Sequence, residues 1–189
     1  MLEDLVRPFA YLTVRHPGRL PAWVNWFLPG MLALLAVFLL WRYPLAINVF
    51  HKDGVLDRLL GFVQTLAGFY IAALAAVSAF DSPHMNRVMP GVPPEILVKH
   101  NNRNTWVKAT RRRFLCAMFA YLTALSFLFT LGAIAVLSVA DPISQLVSAE
   151  WRTGLRLAGT GLMVFLVTQM TTVTFWGLFY LGERMLTPD

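Results

Sequence analysis

"FLCAMFAYLTALSFLFTLGAIAVLSVA", residues 114–140, contains no charged side chain over 27 residues. As a helix it would be about 40 Å long, and about 20 apolar residues are enough to cross the hydrocarbon core of a bilayer. Four segments meet this requirement, at residues 23–41, 59–80, 114–139 and 157–181. We therefore predict an all-α integral membrane protein, with four transmembrane helices in a single domain over residues 1–189.

The composition agrees with this fold class. Hydrophobic residues make up 57% of the chain and charged residues only 14%, whereas soluble domains carry about 25% charged residues. A water-soluble protein of this composition would expose large apolar patches. The net charge of +6 therefore has to be interpreted in a membrane setting.

The positive charge is unevenly distributed about the predicted spans. "VKHNNRNTWVKATRRR", residues 98–113, holds six Lys or Arg and no acid directly before the third span. Eleven of the sixteen Lys and Arg fall on the side of the termini and the second loop, and five on the other side. Because Lys and Arg accumulate in cytoplasmic loops, we predict a bacterial inner-membrane protein with both termini and the basic loop 81–113 in the cytoplasm.

The basic loop is the main candidate interaction surface. Its prolines at 83, 90, 93 and 94 predict an ordered but non-helical path. Each Lys or Arg near an anionic headgroup surface is worth about 1 kcal/mol, and a cytosolic protein is the alternative contact. Because the charge adjoins a span, we expect no direct nucleic-acid binding. The predicted contact residues are Lys99, Arg103, Trp106, Lys108, Arg111, Arg112 and Arg113.

Helix two carries a ridge of small side chains. Close backbone approach drives the association of helices in lipid, where the hydrophobic effect contributes little. The ridge therefore predicts packing within the chain's own bundle, contact with a second copy in a homo-oligomer, or both at once. This small-residue ridge consists of Gly61, Gly68, Ala72, Ala76 and Ala79.

Few polar side chains lie within the predicted spans, and none is charged. Because ion-coupled transporters usually carry intramembrane charges, we expect a different activity. Gln169 and Thr172 share one face of helix four, which would either bond neighbouring helices or line a narrow water-filled path. The candidate intramembrane polar residues are Gln64, Thr168, Gln169 and Thr172.

No motif in the sequence indicates catalysis or a cofactor. Asp81, His84, Glu95 and His100 lie in one loop, but their spacing matches no recognised metal site. Cys116 is the only cysteine, so a disulfide within the chain is excluded. We predict a non-enzymatic protein without cofactor or metal. Residues 2–12, with apolar side chains at near-helical spacing, predict a helix lying at the inner membrane surface.

Two segments carry a resemblance. "FVQTLAGFYIAALAAVSAF", residues 62–80, and "RRRFLCAMFAYLTALSFL", residues 111–128, resemble small four-span proteins of bacterial chromosomes and mobile elements. In size and topology the chain also resembles the small membrane subunit of Kiwa antiphage systems. That resemblance implies an oligomeric membrane sensor whose cytoplasmic face binds a soluble effector, and it assigns a role to no individual residue.

The sequence supports two hypotheses about function. In the first, the protein is a sensor or anchor that docks a cytosolic partner through its basic loop, in a setting such as antiphage defence. In the second, it is a pore-forming effector that depolarises the membrane, with the Thr/Gln face of helix four as the channel lining.

Overall fold

The computed structural model describes residues 7–15, 23–43, 49–50, 53–79, 83–89, 93–100, 103–179 and 181. Its four long helices are α1 (Leu28–Arg42, preceded by the π-helical turn Trp23–Phe27), α2 (Val55–Ala79), α3 (Arg111–Leu146) and α4 (Ala149–Phe179). The shorter elements are a 3₁₀ helix (Arg7–Thr13), a helical turn (Pro83–Asn86) and the antiparallel strands β1 (Glu95–His100) and β2 (Arg103–Lys108).

Among the described residues, four helices are long and apolar enough to cross a membrane, over Trp23–Arg42, Val55–Ala79, Arg111–Ala140 and Trp151–Phe179. This confirms the prediction of a mainly helical protein with four helices of membrane-spanning length. Trp23 and Trp41 are both more than half exposed and lie about 27 Å apart along the helix axis. Because indole rings prefer the headgroup level, this distance suits a hydrocarbon core of about 30 Å.

The helices pack in the order α1, α4, α3, α2. α1 and α4 approach each other closely at Val37 and Gly161, and α3 and α4 do so at Met118 and Gly177. The Tyr70 hydroxyl also lies 2.6 Å from the Thr174 hydroxyl, which joins α2 to α4. A polar contact therefore joins α2 to α4, although α2 packs mainly against α3 and α4 mainly against α1.

Close packing inside the bundle depends on the glycines of α4. A Cβ atom added at Gly159 would lie 2.9 Å from the Phe50 ring, and one at Gly161 would lie 2.9 Å from Val37 Cγ2. A Cβ at Gly177 would collide with the thioether of Met118. The small residues that hold this chain together therefore lie on α4, rather than on the small-residue ridge of α2.

Two of the helices extend beyond the predicted spans. The predicted span 114–139 lies inside α3, which begins at Arg111 and continues through Pro142 to Leu146. The predicted span 157–181 is preceded by a helical extension, because α4 starts at Ala149. Apolar runs mark only the part of a helix that lies in hydrocarbon, whereas the helix itself continues into polar sequence. α3 is consequently about 54 Å long.

The predicted N-terminal helix over residues 2–12 lies only partly within the described residues. The described chain begins at Arg7, so Leu2, Leu5 and Val6 lie outside the described residues. From Arg7 to Thr13 the chain forms a 3₁₀ helix. Its Tyr11 is only 5% exposed, and the ring stacks on Tyr121 of α3 with 5.3 Å between centroids. This short helix is thus packed on the bundle.

Candidate functional site

The basic loop contains a β-hairpin, which the sequence analysis missed. β1 and β2 pair from Glu95 opposite Lys108 to His100 opposite Arg103, so two residues, Asn101 and Asn102, connect them. The sequence carries a signal for this hairpin, because β-branched and aromatic residues on both sides of an Asn pair are typical of hairpins. The hairpin is an ordered, non-helical path, whose two strands the sequence analysis did not assign.

Backbone hydrogen bonds attach the hairpin to the rest of the protein. Arg15 and Glu95 exchange two of them, with N···O distances of 3.1 and 3.0 Å. At the base of the hairpin the Ala109 N–H donates to the Pro94 carbonyl at 2.8 Å, and Met89 donates to the Ala109 carbonyl at 3.3 Å. We call the end of the bundle that carries this hairpin the hairpin end.

A cation and an aromatic ring meet on the surface of the hairpin. The Arg15 guanidinium carbon lies 4.2 Å from the centroid of the Trp106 ring, and Trp106 remains 39% exposed. Cation–π contacts at exposed sites are worth about 0.5–1 kcal/mol. Arg15 of the N-terminal segment therefore contributes its backbone and its side chain to the hairpin surface. The sequence analysis assigned this surface to the basic loop alone.

The three consecutive arginines belong to α3 and differ in exposure. Thr110 caps the helix, since its hydroxyl accepts a hydrogen bond from the Arg113 N–H at 3.3 Å. Arg111 is only 3% exposed, Arg112 is half-buried and Arg113 is exposed. Of these three arginines, Arg113 is the exposed one.

The remaining predicted contacts lie in the hairpin. Lys108 is exposed at the end of β2. Lys99 and Arg103 occupy β1 and β2, and only the backbone is described at these two positions. Glu95, at the start of β1, is the only acid in either strand. The hairpin end thus presents a basic surface with Trp106 at its centre.

The small-residue ridge of α2 faces away from the rest of the chain. A Cβ added at Gly61 or Gly68 would meet no atom within 4 Å, and Ala72, Ala76 and Ala79 are exposed. None of the described residues of the bundle packs closely against Gly61 or Gly68. Gln64 lies on the same exposed side of α2, and contact with a second copy remains a prediction.

The polar face of α4 is bonded to the start of α1. Gln169 is 3% exposed, and its side-chain amide donates to the carbonyl of Asn25 at 2.9 Å. The Thr172 hydroxyl lies 3.1 Å from the carbonyls of both Val24 and Gln169, while Thr168 is half-buried. These contacts favour helix packing as the role of the Thr/Gln face.

Pro29 removes one possible helical donor from each of those two carbonyls. A proline has no N–H, so Asn25, four residues earlier, lacks its α-helical donor, and Val24, five residues earlier, lacks its π-helical donor. Gln169 and Thr172 donate to the same two carbonyls from α4.

Tyr11 connects the same region to the 3₁₀ helix. Burial raises the pKa of the Tyr11 hydroxyl to about 12, and a hydrogen bond with the side chain of Asn25 acts in the opposite direction. Asn25 is itself 7% exposed. The π-helical turn is therefore held on one side by the 3₁₀ helix and on the other by α4.

The part of the chain that the structure describes contains no arranged group of metal ligands. No group of three or more His, Cys, Asp or Glu is close enough there to hold a metal ion. The buried hydroxyls of Ser126 and Thr160 donate to carbonyls one turn earlier in their own helices.

Comparisons with protein-family models, curated proteins and solved structures gave no match.

Proposed function

We propose that this protein is a non-enzymatic, homo-oligomeric anchor or sensor of the bacterial inner membrane that docks a cytosolic protein at its hairpin end. The hairpin end is cytoplasmic in this proposal, as the distribution of Lys and Arg favours. The resemblance to the Kiwa membrane subunit adds antiphage defence as its setting. The single observation that carries the docking role is the ordered, basic hairpin attached to the bundle.

The attachment matters because a docking surface transmits a signal only if it is coupled to the spans. Here the backbone bonds between Arg15 and Glu95 join the hairpin to the segment that stacks Tyr11 on Tyr121. A displacement of the hairpin would therefore act on α3 through packed side chains. Exposed Lys108, Arg113 and Trp106 supply the charge and the aromatic surface that partner recognition commonly uses.

Anionic headgroups are the second contact that we propose for this basic surface. Arg113 lies in the first turn of a membrane-spanning helix, where a guanidinium reaches the interface. Each such residue contributes about 1 kcal/mol to association with anionic lipid. Lipid would thus hold the base of the hairpin, leaving the strands to the protein partner.

The proposed oligomer forms through the small-residue ridge of α2. Its exposed glycines allow close backbone approach between two copies, and the exposed Gln64 side chain would gain a hydrogen-bond partner there. An amide left in hydrocarbon without a partner would cost several kcal/mol. Native mass spectrometry in mild detergent tests this part of the proposal by counting subunits.

Charge reversal with a matched control tests the docking role. We expect the pair Lys108→Glu and Arg113→Glu to remove a co-purifying cytosolic protein in mild detergent. The pair Arg58→Glu and Arg152→Glu makes the same change of charge at exposed positions of the opposite end, and should leave recovery unchanged. Equal recovery from both variants, with normal membrane insertion, would contradict docking at the hairpin end.

The alternative of a pore lined by the Thr/Gln face of α4 gains no support from the contacts of Gln169 and Thr172. Both side chains donate hydrogen bonds within the chain. Flux from liposomes containing the purified protein is the direct measurement. A conductance lost in Gln169→Leu, with the fold intact, would favour the pore.

A further inference from the structure

We propose that the outer edge of β2 binds an extended, acidic segment of the cytosolic partner as an added antiparallel β-strand. The inference rests on the docking role proposed above and specifies how docking takes place. It names the backbone groups that pair and the side-chain pattern of the segment that they select.

The register determines which backbone groups of β2 face outward. His100 and Arg103 flank a two-residue connection, and such flanking residues form a hydrogen-bonded pair. Hydrogen-bonded and non-hydrogen-bonded pairs alternate in an antiparallel ladder, so Thr105 and Val107 also direct their N–H and C=O groups at β1. Asn104, Trp106 and Lys108 therefore direct theirs outward.

Glu95 provides an independent check of this alternation between inward and outward backbone groups. It lies opposite Lys108 and should by the same rule direct its N–H and C=O away from β2. Both groups are indeed bonded to the backbone of Arg15, on the far side of β1. The outward groups of β1 are thus occupied at Glu95, while no strand of the described residues pairs with the outer edge of β2.

An open edge with exposed side chains is a template for a further strand. The side chains of Thr105, Trp106, Val107 and Lys108 are all exposed, so the edge is accessible along four consecutive residues. In strand addition the main-chain hydrogen bonds provide affinity, and alternate side chains provide specificity. The side chains along this edge consequently indicate the partner's sequence pattern.

The two faces of β2 differ in chemistry. Trp106 and Lys108 lie on one face, together with the guanidinium of Arg15, whereas Thr105 and Val107 lie on the other. An added strand would place acidic side chains near Lys108 and Arg15, and β-branched side chains near Val107 and Thr105. The matching segment therefore alternates acidic and β-branched residues.

Charge decides against a second copy of the chain as the occupant. Pairing β2 with itself would gather Arg103 and Lys108 from both copies in one sheet, and β2 contains no acid. Like charges facing each other across strands are destabilising. Anionic headgroups complement the charge but supply no backbone N–H and C=O to the edge.

The test uses synthetic peptides and the full-length protein in nanodiscs of zwitterionic lipid. The probe is a fluorescent ten-residue peptide of alternating Val and Glu, and binding is measured by fluorescence anisotropy. A matched peptide is N-methylated at alternate residues. The methyl groups remove the N–H donors from one edge of the peptide strand and leave its side-chain charges unchanged. We expect the plain peptide to bind saturably below about 1 mM and the methylated peptide to bind at least about tenfold more weakly.

A substitution of the protein makes the complementary test. Asn104→Pro removes an outward N–H and leaves the bonds between β1 and β2 in place, because proline is tolerated at strand edges. We expect it to weaken binding of the plain peptide about tenfold, while the small remaining binding of the methylated peptide is unchanged. The methylated peptide supplies the same test on unaltered protein if Asn104→Pro fails to fold.

Three results would overturn strand addition. Equal binding of the two peptides would show that charge alone is recognised, and would leave the proposed docking role standing. Loss of all peptide binding when phosphatidylglycerol replaces the zwitterionic lipid, at a salt concentration that screens the repulsion between the acidic peptide and the anionic bilayer, would assign the surface to lipid. The absence of saturable binding of the plain peptide would exclude the edge as an acidic-strand site, whereas the docking role is judged separately by the charge-reversal pairs.

Discussion

Pro29 of α1 and Gln169 of α4 are complementary: the carbonyl that the proline deprives of its α-helical donor accepts the glutamine amide at 2.9 Å. The acceptor is the backbone oxygen of Asn25, four residues before Pro29. The first turn of one span is therefore completed by a side chain of another. This relationship also accounts for a buried glutamine in a membrane-spanning helix.

A double-mutant cycle tests this dependence. Gln169→Met keeps the side-chain volume and removes the donor, and we expect it to lower the free energy of unfolding in detergent by about 1 kcal/mol. In the Pro29→Ala background the restored N–H serves the Asn25 carbonyl, so the same substitution should cost clearly less. Equal costs in the two backgrounds would show that Gln169 stabilises the protein by another route.

The two sets of glycines should respond differently to a large side chain. Gly161→Leu places atoms where Val37 Cγ2 already lies, and we expect it to lower the free energy of unfolding by about 1–3 kcal/mol. Gly68→Leu adds atoms in open space and should leave the monomer's stability within about 0.5 kcal/mol. Thermal unfolding in detergent compares the two.

The oligomer proposal predicts a further difference for the same pair. Gly68→Leu should dissociate the complex into smaller species in native mass spectrometry, because it fills the small-residue ridge of α2. An unchanged subunit count would place the contact between copies elsewhere.

Tyr11 should make the packing of the 3₁₀ helix dependent on pH. Its pKa is raised in the folded protein from 10.0 to about 12, so the folded state favours the neutral hydroxyl. The contribution of Tyr11 to stability is then fully present below pH 10 and is lost as the pH rises through about 12. The stability difference between wild type and Tyr11→Phe, followed by chemical unfolding across this range, should change with pH; a constant difference would contradict this coupling.

The proposed orientation predicts which engineered cysteines are accessible from outside the cell. Asn86 at the hairpin end and Ser148 at the opposite end are both exposed. In a Cys116→Ser background, a membrane-impermeant maleimide applied to spheroplasts should label Ser148→Cys and leave Asn86→Cys unlabelled. Lysed cells, in which both positions must react, provide the control, and the reverse pattern would invert the topology.

The consecutive arginines should differ in their effect on the fold. Arg111 is 3% exposed, so Arg111→Ala removes packed methylene groups and buried bonds and should cost about 1–3 kcal/mol. Arg113 is exposed, and Arg113→Ala should stay within about 0.5 kcal/mol. Similar losses of stability at both positions, measured by thermal unfolding, would contradict this assignment.

The four spans were predictable because hydrophobic length is a local property of the sequence. The roles of the glycines were not, since they depend on which helices become neighbours: Gly61 and Gly68 form a longer pattern of small residues, yet Gly161 makes the close contact. Likewise, no local feature of Gln169 reveals that its acceptor is a carbonyl freed by Pro29. The correct partner becomes apparent only when α4 is placed beside α1.

Prediction of the hairpin and of the exposure of the arginines from the sequence was limited for a different reason. Signals for β1 and β2 are present around Asn101 and Asn102, but the four prolines predicted only an ordered, non-helical path and no strands. The extension of α3 back to Arg111 follows from the Thr110 cap, a recognisable signal that the apolar run obscured. The exposure of the candidate contact residues required the packed structure, because adjacent arginines in a helix point in different directions.

The separation of 144 residues between Asn25 and Gln169 in the sequence has a consequence for biosynthesis. Ribosomes add about 5–20 residues per second, so Gln169 is synthesised roughly 7 to 30 seconds after the beginning of α1. During that interval the unsatisfied carbonyls of α1 are stable only near water or beside the insertion machinery. Release of the first span into lipid is thus expected to be delayed until the last one has been synthesised.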